Sequence, residues 1–306
     1  MIEGQNHNGI IDPAPYFSVI TPSWNQGEYL GECIESVLRQ GDASFEHLIF
    51  DNCSTDSTAE VVSRYPHVRC VRERDRGQSD AINKGFLGAK GEIICWLNSD
   101  DAYPRGLFKR LKEIFSDPGV DVVFGDVLQK NYDGSADQVA PARFEKREDL
   151  VRWWSRDVKL HQPGIFFRRS VRERVGLLNE CLHYAMDYEY WWRMSERHRF
   201  QYVPEVLAIQ HLQPASKTIT AWPCFYEERE KIFAPHYGMI DGGNSGALAQ
   251  ERRMTMAQNY MQLAWSAPAR SKVVWENITR AIGEDPSFIV KPELLGLLSR
   301  AVIGHG

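Results

Sequence analysis

Apolar residues recur along this chain with two periods, and the points where one gives way to the other mark out its elements. Phe17-Ser18-Val19-Ile20-Thr21-Pro22 reads as a first strand, stopped by Pro22 because proline cannot donate to a sheet ladder. From Glu28 the period lengthens. Leu30, Cys33, Ile34, Val37 and Leu38 fall at i, i+3, i+4, i+7 and i+8, the spacing of one buried helix face. Phe45 to Phe50 forms a second strand ending in Asp51-Asn52, and a loop whose Ser54 or Thr55 can act as N-cap leads to a helix over 59–65. A third strand over 68–71 precedes a helix over 78–89. The fourth strand is an unbroken apolar run, Ile93-Ile94-Cys95-Trp96-Leu97, that enters the adjacent acids Asp100 and Asp101, as expected of a strand covered on both faces. Leu107, Phe108, Leu111, Ile114 and Phe115 then give a one-faced helix, and 120–126 a fifth strand. Strands alternating with helices predict an α/β fold whose βαβ crossovers build a mostly parallel, Rossmann-like sheet flanked by helices.

Beyond Asp126 the alternation breaks. A turn is expected over 131–134, a Trp-rich helix near 149–155, a short strand at Ile165-Phe166-Phe167-Arg168, and an acid-bearing segment over 182–194. After Thr220 four helical stretches follow, over 222–233, 246–265, 270–282 and 292–302. The expected division is a domain over 1–220, with one half over 16–126 and a second over 127–220, and a helical C-terminal extension over 221–306. Leu294 to Ile303 is too apolar for a fully solvated helix, so it should pack on the body, on a second copy in a homo-oligomer, or peripherally on a membrane surface.

Composition narrows the function classes. A chain of 306 residues with 43% hydrophobic content can bury one large core or a core plus an appended region. Its net charge of -5, with no basic tract, argues against nucleic acid, although Arg72, Arg74 and Arg76, and Arg168-Arg169, are local clusters able to meet a diphosphate. The first residues lack a basic start and an apolar core, and no run approaches a membrane span, so a soluble cytoplasmic protein is expected. The six cysteines are scattered without close pairing, which supports neither a disulfide framework nor a zinc site.

The candidate chemistry sits at strand ends. Asp100 and Asp101 repel each other unless a positive charge joins them, and a divalent cation shared with a diphosphate supplies it; the bland alternative is an N-cap for the helix beginning near Pro104. Trp24 can stack on a nucleobase while Pro22 and Ser23 let the backbone approach, or it is a core aromatic. Asp51 can accept from the ring N–H of a pyrimidine, or serve a turn.

Four segments in this order resemble the inverting family 2 glycosyltransferases of GT-A fold. FSVITPSWNQGEYL is similar to the family's nucleotide-binding strand, HLIFDNCSTDST to its second strand and Ser-Thr-Asp turn, GQSDAINKGFLGAKGEIICWLNSDD to the segment leading to its DXD motif, and YAMDYEYWWRM to its acid-bearing acceptor helix. The resemblance covers Phe17 to about Thr218. It implies donor-nucleotide contacts from Pro22, Ser23, Trp24, Asp51, Asp75, Asp80, Lys84, Asn98, Ser99 and Asp100, with Lys84 or Arg74 near phosphate, and a Mn or Mg ion held by Asp100 and Asp101. Asn98 stands where many relatives carry aspartate, so it is expected to hydrogen-bond and not to ligate. Asp187 matches the family's base position, with a helix N-cap as its structural alternative; Glu189, two residues on, should point away. His161 and Gln162 resemble an acceptor-contacting pair. LAIQHLQPASKT resembles the segment that closes over the diphosphate, which brings in His211 as a metal ligand and Ser216, with Gln213 where relatives often have histidine.

The implied activity is metal-dependent inverting transfer of a sugar from a nucleotide diphosphate, expected to be a UDP-sugar, to a hydroxyl of a glycan or lipid-linked acceptor in polysaccharide biosynthesis. A sugar nucleotidyltransferase would share sheet, metal and nucleotide, but PSWNQGEY matches its Gly-rich, Arg-bearing loop poorly. A non-catalytic nucleotide-sugar-binding protein would not need Asp100, Asp101 and Asp187 together.

Overall fold

The computed structural model describes residues 14–303 apart from 42–43, 132–134, 156–157, 214–216, 218–220, 241, 243–244 and 267–270. The turn expected over 131–134 therefore lies largely outside the described residues, as does Ser216. The chain forms two compact units. One comprises Met1–Leu150 with Asp157–Ile232, the other Val151–Arg156 with Phe233–Gly306.

The first unit is built on a mixed sheet in the order β3-β2-β1-β4-β8-β6-β9-β5, with β7 beside β6. Strands β1 (Phe17–Ser23), β2 (Phe45–Asp51), β3 (Val68–Arg72) and β4 (Ile93–Trp96) are parallel neighbours, joined by α1 (Gly27–Leu38), α2 (Thr58–Ser63) and α3 (Gln78–Gly88). The parallel run ends at β4, because its next neighbour β8 (Ile165–Arg168) is antiparallel to it. All four residues of β4 are buried, as are Phe17, Val19 and Ile20 of β1. Each such side chain contributes roughly 1.5–3 kcal/mol relative to exposure, so the β1–β4 pair is the anchor from which the strand-end loops project.

The strand expected to stop at Pro22 continues through Ser23. Odd-numbered residues of β1 bond to β2, as in the Phe17 N–H to Ser44 and the Asn52 N–H to the Ser23 carbonyl, while Ile20 faces β4 and accepts from Leu97. Pro22 faces the same side as Ile20, beyond the last pair with β4 at Ile20–Trp96, so its missing N–H forfeits no ladder bond. Neither Ser54 nor Thr55 caps α2. Asp56 does the capping, accepting from the Thr58 N–H at 3.0 Å and, from the facing loop, the Gly27 N–H at 2.8 Å.

After β4, the two-residue β5 (Asp101–Ala102) and helix α4 (Leu107–Ile114) lead to β6 (Val122–Asn131), longer than the expected 120–126. Then come β7 (Gln138–Ala140), α5 (Arg147–Val151), β8, α6 (Arg169–Val175), α7 (Met186–Met194) and β9 (Phe200–Leu212). The expected Trp-rich helix stops at Val151, because Trp153 and Trp154 belong to the second unit, where their indole N–H groups reach Tyr237 and Glu251. Strand β9 left little periodic signal, since it carries Pro204 and runs beside β6 through irregular register near Gly125 and Asp126. Helix α8 (Trp222–Phe233) lies almost wholly in the first unit.

The second unit is helical, with α9 (Ser245–Ser266), α10 (Lys272–Glu284) and α11 (Pro292–Ile303). Leu294, Leu297 and Ala301 of α11 are buried, while Leu295 and Val302 stay exposed. The apolar tail thus lays one face on the helical unit, where Gly296 admits the Trp265 ring so closely that a Cβ would lie 3.2 Å from it. Among the described residues no helix is long and apolar enough to cross a membrane.

Buried polar groups in the sheet couple the first unit to pH. His47 is fully buried in β2, with Nε2 2.9 Å from Thr21 Oγ1 and no partner for Nδ1 among the described residues. Burial lowers its pKa from 6.5 to about 3. The unfolded chain binds more protons between those values, so this histidine adds stability at neutral pH that is lost as pH falls below about 6.5. The wild-type chain is expected to lose urea midpoint between pH 7 and pH 4, and His47→Gln should flatten that decline; a decline of unchanged slope would assign it to other groups.

Candidate active site

The loops of the site leave the sheet at the ends of β1, β2, β3 and β4. After β1, Trp24 projects its ring with 64% of its surface exposed, which removes the core-aromatic alternative. Ser23 beneath it is buried, and Asn25 takes a left-handed conformation (φ 53°) that lets its Oδ1 accept the Thr55 N–H at 2.9 Å. Asp51 ends β2 and is 2% exposed. Its carboxylate accepts from the Ser54 N–H and hydroxyl and lies 3.5 Å from Arg72 Nε. The turn role weighed for Asp51 is therefore real; a carboxylate has lone pairs left for a further donor.

Asp75 and Asp80 flank the N-terminus of α3. Asp75 accepts the Gly77 N–H at 2.9 Å, and burial raises its pKa. Burial also opposes ionisation of Asp80, but the Arg76 N–H and guanidinium, with Lys84, outweigh it and hold the carboxyl below its ordinary value. Lys84 pairs with Glu73 at 2.9 Å and Asp80 at 3.6 Å, and donates to the Arg74 carbonyl, so its charge is already shared.

At the end of β4 the amide of Asn98 gathers its surroundings. Its Oδ1 accepts from the Trp96 indole at 3.1 Å and from Gln78 at 3.0 Å, while its Nδ2 donates to Gln162 Oε1 at 2.8 Å and to Asp101 at 3.4 Å. Gln162 in turn donates to the Trp96 carbonyl at 2.6 Å. Asn98 is thus a hydrogen-bonder, as its neutral side chain requires, and it joins Gln162 to the acidic pair. Ser99, next in the chain, is buried.

Burial raises the pKa of both acids. That of Asp101 lies well above the carboxylate range, because the charge of Asp100 adds to burial and only the His211 backbone and Asn98 oppose it. Among the described residues neither acid pairs with lysine or arginine, and no group of three or more His, Cys, Asp or Glu side chains is gathered as a metal cage. Two carboxylates lacking a fixed cation match the usual Mg²⁺ arrangement of one or two carboxylates completed by substrate phosphates, so the donor set fits Mn or Mg. His211 Nδ1 meets the Asp100 backbone carbonyl at 2.7 Å; the side chain that reaches the Asp100 carboxylate is Gln213, at 3.0 Å. The N-cap alternative for the acidic pair fails, since Gly106 precedes α4 with no side-chain cap.

Asp187 lies in the first turn of α7, whose N-cap is Ala185, so it is not the capping residue. Burial raises its carboxyl, with Arg229 the main opposing charge. Glu189 is bound to Arg193 at 2.6 Å and is not free to act as a base. Helix α7 is docked beside β4 through Trp191, 6.3 Å from Trp96, and the loop before it is held by α3, whose Asn83 exchanges hydrogen bonds with Leu178. His161 is half-buried with no partner for its Nε2 among the described residues, and burial lowers its pKa. Gln78 and Glu228 are the contributors that sequence reasoning missed, and the contact of Gln213 with the Asp100 carboxylate was not foreseen. A polar residue on a helix or strand carries no periodic signal of which side chain it will meet.

With this geometry in hand, the family model for glycosyl transferase family 2 matches residues 18–176, just over half of the chain. The chain belongs to glycosyl transferase family 2. An uncharacterized glycosyltransferase of Nostoc sp. is 30% identical over 169 residues, 52% of each chain, so the match spans about half the length of that family member. The uncharacterized glycosyltransferase EpsJ of Bacillus subtilis is 24% identical over 297 residues, 89% of this chain and 84% of its own. Among solved structures, S. aureus TarS 1-349 in complex with UDP superposes with a TM-score of 0.56 at 16% identity, covering 89% of this chain and 91% of that one. The Pyrobaculum calidifontis mannosyltransferase PcManGT, solved with GDP-Man and Mn²⁺, gives 0.51 at 17% identity, covering 95% and 81%. These likenesses establish the GT-A fold of this family member, including its helical C-terminal region.

The Asn98 cluster yields a stability test. Asn98→Asp keeps the shape but faces Gln162 Oε1 and Asp101 with a second acceptor, and Gln162 cannot flip without losing the Trp96 carbonyl. The substitution should cost about 1–3 kcal/mol in urea denaturation at pH 7. An unchanged midpoint would mean that the amide donates to neither group.

Proposed function

We propose that this chain is a metal-dependent inverting glycosyltransferase that moves a sugar from a nucleotide-diphosphate donor, a UDP-sugar, to a hydroxyl of a glycan or lipid-linked acceptor in polysaccharide biosynthesis. The observation that carries the reading is the acidic pair at the end of β4, a half-buried Asp100 beside a buried Asp101 with no lysine or arginine paired to either among the described residues, joined through Asn98 to Gln162. Proteins of the same fold have been solved with UDP-GlcNAc, and with Mn²⁺ together with UDP and glucosyl-3-phosphoglycerate. They support donor and metal as classes, at sequence identities too low to carry a sugar across.

Trp24 presents an open ring to stack on the base, with Asp51 at the adjacent strand end to accept from its ring N–H, and Pro22 and Ser23 form the backbone beneath. Asp75 and Asp80 line the donor side, and Ser99 with Asn98 orients the acidic pair. Asp100 and Asp101 would hold Mn or Mg, which when bound neutralises the charge of the departing diphosphate. Gln213 keeps the Asp100 carboxylate turned, and His211 fixes its backbone. Asp187 takes the proton of the acceptor hydroxyl as that oxygen attacks the anomeric carbon from the face opposite the diphosphate, so configuration inverts. His161 and Gln162 orient the acceptor.

Two outcomes test the reading. UDP with Mn²⁺ should raise the melting temperature more than either alone, because a ligand of the folded state stabilises it by mass action. Unchanged UDP binding in EDTA would remove the metal role of Asp100 and Asp101. Asp187→Asn keeps size and most hydrogen bonds but cannot accept a proton at neutral pH, so release of UDP from UDP-sugars with added acceptor should fall by at least ~10²-fold while calorimetric UDP affinity holds. Normal turnover in that variant would mean another base.

A further inference from the structure

Helix α7 begins at a residue that cannot cap it. Ala185 stands at the N-cap and has no side-chain oxygen, so the direction in which the chain enters the helix is left to the residues before it, whose own backbone N–H groups need acceptors. They find them on α8. Glu228 Oε1 accepts the His183 N–H at 2.9 Å, and Oε2 accepts those of Tyr184 and Ala185, each at 2.8 Å. The neighbouring Arg229 lays its guanidinium 3.8 Å from the centre of the Tyr188 ring, and Phe225, nearly one turn earlier, meets the Tyr184 ring edge-on at 5.4 Å. One face of α8 therefore grips the chain on both sides of Asp187.

We propose that Glu228 is a positioning residue for Asp187: by holding three successive backbone N–H groups it fixes the entry of α7 and thereby the direction in which the Asp187 carboxylate faces the acceptor hydroxyl. The inference rests on the reading of Asp187 as the base. The ordinary alternative for a glutamate in the run Glu227-Glu228-Arg229-Glu230-Lys231 is a solvated helix face. Glu228 departs from it, because it is half-buried and both its oxygens are engaged on backbone donors of another element. Charge-assisted bonds from a carboxylate to backbone N–H groups are among the stronger ones, and three converging on one side chain leave that backbone little freedom. A base displaced by about 1 Å costs roughly 10²-fold in rate, so a clamp at this point acts on turnover before it acts on the fold. Arg229 adds a second influence, since its charge is what chiefly opposes the effect of burial on Asp187, with Glu228 pushing the other way.

Glu228→Gln is the informative change. It keeps length and one acceptor oxygen but turns an amide NH2 toward a backbone donor. Hydrogen–deuterium exchange of the peptide 183–190, calorimetry with UDP and Mn²⁺, and release of UDP from UDP-glucose, UDP-galactose and UDP-N-acetylglucosamine with added hexose should be measured on one preparation. Exchange over His183–Ala185 should accelerate by about tenfold or more, and kcat should fall by about tenfold or more. UDP affinity and donor KM should stay within about twofold, and Glu228→Gln should add nothing in an Asp187→Asn background. Glu228→Asp, which keeps the charge but retracts it by one methylene, should give the same split at smaller amplitude. Unchanged exchange over 183–185 overturns the clamp, and accelerated exchange with wild-type kcat overturns the positioning role. A parallel loss of melting temperature, UDP affinity and kcat in both variants makes Glu228 merely structural. Normal turnover in Asp187→Asn, or no UDP release from any of the three donors by the wild-type chain, sinks the functional reading instead, and the exchange measurement still decides the clamp.

Discussion

A single amide holds the candidate site together. Asn98 receives hydrogen bonds from Trp96 and Gln78 and gives them to Gln162 and Asp101, so one side chain links β4, the start of α3, the turn before β8 and the first residue of β5. A neutral group with both donors and an acceptor suits such a junction, because the indole can only donate, and Gln162, whose NH2 is committed to the Trp96 carbonyl, presents its oxygen as an acceptor. An acid at this position would satisfy the indole and oppose Asp101. The departure from the commoner aspartate therefore makes sense as architecture, independently of what the acidic pair binds.

The acidic pair itself is where stability and chemistry diverge. Burying two adjacent carboxylates raises both pKa values, which means that each is held against the preference of its surroundings, and only hydrogen bonds and His211 moderate the cost. A fold selected for stability alone would place an apolar or cationic residue there. The rigid strands beneath make the arrangement tolerable, since β1 and β4 are buried along their shared length and do not yield to repulsion at their ends.

Helices supply the other half of the geometry. α3 touches the site at Gln78 and carries the loop before α7 through Ser79 and Asn83, so the Asn98 cluster and the Asp187 helix are referred to one rigid element. α8 holds the same loop from the other direction through Glu228. Asp187 is thereby suspended between two helices distant in sequence, and neither of them has to move for the other to keep its hold.

The sequence by itself determined the elements whose burial is one-sided or complete. β1, β2, β3 and β4 and the helices between them follow from apolar spacing, because burial leaves its period in the residues, and the acids Asp51, Asp100 and Asp187 stand out as candidates because they lie at strand ends or in the quoted motifs. What tertiary structure decided was pairing. The antiparallel insertion of β8 beside β4 depends on long-range partners that leave no local pattern, and β9 carries a proline and a bulge that hide its length. Pro22 stays in its strand only because β4 has already turned away on that side. The roles of Gln78, Gln213 and Glu228 arise from polar side chains meeting groups far along the chain, and a hydrogen bond of that kind is specified by distance and direction, which the order of residues does not carry.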